Sequence, residues 1–112
     1  VRESHVNQLL AAMNGISGNR AVLFLSDTNL RDSDPEDLPL ITRLIEDAKL
    51  TDLCAAVDCP TPGRIDRILY RSSEALTLTG DAWQVAENFE DAGGVPLSDH
   101  EPISGQFSWT AH

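Results

Sequence analysis

The stretch Arg64-Ile65-Asp66-Arg67-Ile68-Leu69-Tyr70-Arg71 decides the fold. It alternates imperfectly between apolar and charged residues, and a period of two is the signal of a strand. Pro60, Pro62 and Gly63 set a turn just before it. Asp66 is the residue that fits a plain strand least well. Ile65 stands on one side of it and Ile68-Leu69 on the other, so the carboxylate needs a partner if it is buried. The ordinary alternative has Asp66 facing solvent beside Arg64 or Arg67. A histidine ring is the more informative partner, because a carboxylate fixes its tautomer and stabilises its protonated form.

Working outward, Val6, Leu9, Leu10 and Met13 recur at helical spacing and predict an amphipathic helix over residues 3–14. Asn14-Gly15 and Gly18-Asn19 break it. Ala21 to Leu25 is a short apolar run that reads as a buried strand, ended by Ser26-Asp27-Thr28-Asn29. Ser33 or Asp34 is a helix cap, with Ser33 and Glu36 at capping-box spacing, and Leu40, Ile41, Leu44, Ile45 and Ala48 supply that helix's apolar face. Downstream, residues 75–79 and 82–86 are two weaker strands separated by Gly80-Asp81, and residues 103–109 are a last one. Tyr70, Trp83 and Trp109 are expected in the core or at its margin. Helix, strand, helix and then several strands predict an α+β or layered α/β fold, with helices on one face of a sheet. The other face then needs a further layer.

At 112 residues the chain is one domain at most, and 41% apolar with 23% charged residues is ordinary for a folded chain. The net charge of −10 argues against a protein that wraps nucleic acid by neutralising phosphates. It leaves room for an enzyme that meets a phosphoryl group through a metal ion, because the metal brings the positive charge. No charged start followed by an apolar run is visible after Val1, and no apolar run approaches the roughly 20 residues of a membrane span. Cys54 and Cys59 are too few for a zinc site. They are either a local disulfide, which suggests a secreted or periplasmic protein, or two buried thiols at a helix end in the cytoplasm.

Three constellations fall at strand ends or in loops, where a scaffold holds reactive groups rigidly. They are Asp27 with Asn29, then Asp66, then Asp99-His100 before the last strand. Each has a plain reading. Asp and Asn bond their own backbone in turns, a strand Asp can face solvent, and Ser98-Asp99-His100 can be a charged turn.

Taken together and in order, they resemble the endonuclease/exonuclease/phosphatase superfamily, the DNase I-like metal-dependent phosphoesterases. Members share a Gly-Asp-x-Asn element after a buried strand, where this chain has Ser26-Asp27-Thr28-Asn29. They share an Arg-(apolar)-Asp-x-(apolar) strand, here Arg64-Ile65-Asp66-Arg67-Ile68, and close with Ser-Asp-His, here Ser98-Asp99-His100 followed by Pro102. The run from Asp27 to Asp32 is similar to the tyrosyl-DNA phosphodiesterase branch, and the run from Leu97 to Pro102 to sphingomyelinase-like phosphodiesterases.

The resemblance implies half of a four-layer αββα sandwich, with one mixed sheet and covering helices. Residues 1–112 would be its C-terminal half and the N-terminal half a missing partner. It implies hydrolysis of a phosphodiester, whether lipid, small phosphoester or nucleic acid, by activated water with Mg²⁺ or Mn²⁺. Asp27 would orient or deprotonate the water, and Asn29 would donate to the phosphoryl oxygens. His100 would stabilise charge or handle a proton, held by Asp66, and Asp99 would sit near the metal. Two departures stand out. Ser26 replaces the family glycine, and the upstream metal-binding Glu has no counterpart, so the 112-residue chain alone is expected to be catalytically impaired. The competing classes are a degenerate member that only binds a ligand or partner, and a structural domain with coincidental motifs.

Overall fold

The computed structural model describes residues 2–15, 19–28, 30–31, 33–60, 65–85, 91–95 and 102–112. The chain is α+β. Its elements are α1 (Arg2–Gly15), β1 (Val22–Asp27), α2 (Leu38–Asp47), β2 (Thr51–Asp52), α3 (Leu53–Ala56), β3 (Asp66–Arg71), β4 (Leu76–Val85) and β5 (Ile103–Ala111). The described strands form two sheets rather than the expected single mixed one. The first has the order β1-β3-β2, the second is the β4-β5 pair, and every pairing is antiparallel. A mixed sheet needs a parallel pair, and the described strands contain none: β1 reaches its neighbour β3 through the long connection that holds α2, β2 and α3, yet the two run antiparallel.

β3 is the centre of the first sheet, and its two faces look into two different cores. Antiparallel pairing sets Val22 opposite Arg71, Phe24 opposite Leu69 and Ser26 opposite Arg67 on one face. Leu69 is fully buried there and clusters with Val6 and Met13 of α1, Ile41 and Leu44 of α2, and Leu30, Ala48 and Leu50. On the other face Leu23 lies opposite Tyr70, Leu25 opposite Ile68 and Asp27 opposite Asp66. That face meets the second sheet, where the Tyr70 and Phe107 rings pack edge to face with centroids 5.1 Å apart.

Two glycines make this second contact close. A Cβ on Gly80 would lie 2.5 Å from Leu53 Cδ1, and one on Gly105 would lie 2.5 Å from Leu53 Cδ2 and 3.1 Å from Ile68 Cδ1. Fully buried Leu53 therefore sits in a cradle that any larger residue would fill. It is delivered by α3, which Asp52 caps by accepting from the Cys54 amide at 3.0 Å. Cys54 and Cys59 form a disulfide across the end of this helix.

Several expectations need correction. The two strands expected at 75–79 and 82–86 are a single one, β4 (Leu76–Val85), because a bulge between Gly80 and Ala82 absorbs Asp81 without ending the ladder. α2 starts at Leu38, not at a Ser33 or Asp34 cap. Asp34 spends its side chain on the Glu36 amide at 2.8 Å, closing a turn, and a proline occupies the helix's first turn. Trp109 is 67% exposed, since it stands near the end of the β4-β5 pair beyond the reach of the first sheet. Leu23 and Leu25 are likewise 50% and 65% exposed, because the second sheet covers β3 but leaves β1 open. No helix among the described residues is long and apolar enough to cross a membrane.

Candidate active site at one end of the central sheet

Of the residues singled out in the sequence, Asp27 and Asp66 are described, and the sheet brings them together. They are the last residue of β1 and the first of β3, and they are cross-strand partners. Residues directly opposite share a face, so both carboxylates belong to the Leu25–Ile68 side of the sheet. Asp27 is exposed and Asp66 half-buried. Asp66 is thus not inside its strand, as its apolar neighbours suggested, but at its mouth. Asn29, Asp99 and His100 lie outside the described residues.

The second sheet supplies one further coordinate. Gly105 lies against Ile68, and Phe107 lies against Tyr70. β5 therefore advances alongside β3 in the same sense, so it starts toward the Asp66 end of β3. The start of β5, the Asp66 end of β3 and the Asp27 end of β1 all lie at one end of the molecule.

Behind Asp27 the chain is anchored on the opposite face. Thr28 donates twice to the Ile65 carbonyl, from its amide at 2.7 Å and from Oγ1 at 2.8 Å. Thr28 Oγ1 accepts from the Leu30 amide at 3.3 Å and from Arg67 Nε at 3.3 Å. Arg67 Nη2 donates to the Leu30 carbonyl at 3.1 Å, and Nη1 lies 3.5 Å from Asp52 Oδ2. Asp37, only 2% exposed, accepts from the Arg31 amide at 3.1 Å. Sequence reading missed Thr28, Asp37, Asp52 and Arg67. The available signal was Arg67 and Arg71 at the same parity as Leu69.

Ser26, where the resemblance leads one to expect a glycine, adopts ordinary strand geometry opposite Arg67. Its side chain is exposed and donates to the Asp27 carbonyl at 3.2 Å. A Cβ is therefore accommodated at this position of β1.

Among the described residues no group of three His, Cys, Asp or Glu side chains is placed to hold a metal. The two carboxylates are nevertheless hard oxygen donors, and Mg²⁺ commonly takes only one or two carboxylates beside water and substrate oxygens. At the far end of β3 a cavity of about 860 Å³ is lined by Asn14, Lys49, Arg71, Ser72 and Ser73 among others. Several of its polar side chains are already engaged. Ser72 exchanges bonds with Leu78, Ser73 accepts from the Leu76 amide, and Arg71 donates to three carbonyls. No protein-family model matches the chain, and no curated protein matches it.

Proposed function

We propose that the chain contributes the C-terminal half of a DNase I-like phosphoesterase site, hydrolysing a phosphodiester by activated water. The observation that carries this reading is the cross-strand pairing of Asp27 with Asp66, two residues 39 apart in sequence, at the same end as the start of β5. Asp99 and His100 immediately precede β5 in sequence. In this reading Asp66 orients the His100 ring and Asp27 positions or deprotonates the attacking water. Asn29 donates to the phosphoryl oxygens. A positioned base contributes typically 10²–10⁴-fold to such a reaction. Asp99 would sit near a Mg²⁺ or Mn²⁺ ion, whose charge would offset that of the phosphoryl group.

The exposed Leu23 and Leu25 support a further layer on this face of the sheet, as a complete sandwich would provide. The Cys54–Cys59 disulfide supports an oxidising compartment, secreted or periplasmic. The acidic chain favours a lipid or small phosphoester over nucleic acid.

The test is turnover of bis(p-nitrophenyl) phosphate by the complete protein with Mg²⁺, with and without EDTA. Metal-dependent turnover, lost in Asp27→Asn and Asp66→Asn, is expected. A folded wild-type protein that shows no turnover on diester, lipid or DNA substrates would refute the reading. It would leave a ligand-binding member as the better account.

A further inference from the structure

We propose that Arg67 is a positioning residue, which with Thr28 fixes the turn after Asp27 and thereby sets the rate of the chemical step. This rests on the phosphoesterase reading of the Asp27–Asp66 end.

Arg67 is adjacent to Asp66 in the chain, so strand alternation sends its side chain to the opposite face. It is buried, at 5% exposure, and its guanidinium is spread over the turn. Nε takes the Thr28 hydroxyl at 3.3 Å and Nη2 takes the Leu30 carbonyl at 3.1 Å. These two contacts grip the chain on either side of position 29.

The Thr28 hydroxyl is used to capacity. A hydroxyl has one hydrogen and two lone pairs. Its hydrogen goes to the Ile65 carbonyl, and its lone pairs accept from the Leu30 amide and Arg67 Nε. The position of Thr28 is therefore over-determined, and Asp27 next to it is held between this anchor and its ladder partner Asp66. Nη1 extends the grip to Asp52, whose other oxygen caps α3 at the Cys54 amide.

A buried ion pair is weak evidence of stabilisation, since replacing both partners by well-packed apolar residues is often neutral. Its use lies in geometry. The planar fork of arginine holds several acceptors in fixed directions, which a lysine ammonium does not reproduce. Misplacing a reacting group by about 1 Å costs on the order of 10²-fold in rate.

The experiment compares Arg67→Lys, Thr28→Val and Thr28→Ser with wild type in the complete protein. Bis(p-nitrophenyl) phosphate turnover with Mg²⁺ is measured alongside amide hydrogen exchange. Arg67→Lys and Thr28→Val are expected to lose about 10- to 100-fold in kcat with KM changed less than about twofold. Thr28→Ser, which keeps the hydroxyl, should retain most of the rate. Exchange should quicken at Thr28 and Leu30 while Leu44 and Leu69 keep their protection.

An unchanged kcat in Arg67→Lys overturns the proposal. So does a loss of rate accompanied by uniform loss of protection, which would make Arg67 merely structural. Wild-type protein without turnover sinks the phosphoesterase reading and, with it, the rate claim. The exchange data then still decide whether Arg67 holds the turn.

Discussion

Arg71 offers the sharpest test of how this fold is held together. Its side chain is buried at 9% exposure under the helices, and it donates to the carbonyls of Met13 at 2.9 Å, Ala48 at 2.9 Å and Arg20 at 3.3 Å. Met13 lies in the last turn of α1, and Ala48 is the C-cap of α2. One guanidinium thus closes the C-terminal ends of two helices, where carbonyls lack intrahelical partners and the helix dipole favours a cation. Arg71→Met keeps much of the stem and removes the donors. Arg20 is exposed, so water replaces the bond to its carbonyl. Met13 and Ala48 are 6% and 0% exposed, so their carbonyls have poor access to water. At about 1.5–3 kcal/mol per charge-assisted bond, two such losses come to about 3–6 kcal/mol. Arg43→Met is the control. Arg43 bonds Asn7 and sits 3.9 Å from a largely exposed Glu3, a surface arrangement worth less than about 1 kcal/mol. In urea titrations followed by far-ultraviolet circular dichroism, the Arg71→Met midpoint should fall by roughly 2 M, using a typical slope of about 2 kcal/mol per M. A midpoint shift no larger than that of Arg43→Met would refute the double-cap account.

Other expectations follow from single contacts. Gly105→Ala should destabilise by about 1–3 kcal/mol through collision with Leu53, and Leu53→Val should recover part of that in a double-mutant cycle read by urea titration. Reducing the Cys54–Cys59 disulfide, or replacing both cysteines by serine, should cost about 2 kcal/mol, the chain-entropy value for so short a loop, seen as a lower urea midpoint. Asp66→Asn should reduce turnover by about 10²-fold or more while leaving thermal stability within about 1 kcal/mol of wild type, since it removes one of two like charges directly opposite. Leu25→Glu should change the stability of the 112-residue chain by less than about 0.5 kcal/mol, because the side chain is 65% exposed.

The class of the fold was legible because periodicity speaks directly to it. Val6, Leu9, Leu10 and Met13 mark α1 at helical spacing, residues 21–25 read as a strand from their apolar run and residues 64–71 from imperfect alternation, and β1 (Val22–Asp27) and β3 (Asp66–Arg71) stand there. What failed was local punctuation. Gly80-Asp81 has the chemistry of a turn, yet the ladder with β5 continues past it by bulging one residue. Ser33 and Glu36 have the spacing of a capping box, but the Asp34 turn and Pro39 move the helix start downstream. At the candidate site the carboxylates were visible and their anchors were not. Arg67 and Arg71 fall on one side of β3 with Leu69, and arginines at every second position ordinarily mean solvent. Here they point at carbonyls and hydroxyls of distant segments. Only tertiary structure reveals those acceptors, because backbone oxygens leave no mark in a sequence.

The open side of β1 has a consequence for how the chain behaves before it is fully folded. Val22 to Ser26 contains no charge and no proline, and it lies at the edge of its sheet with Leu23 and Leu25 exposed. Such a segment templates strand addition from a second chain. Arg20 and Asp27 flank it as charged gatekeepers, but neither interrupts the run. Refolding yield of the 112-residue chain should therefore fall steeply with protein concentration. The segment that carries Asp27 to its site is also the one through which partly folded molecules find each other.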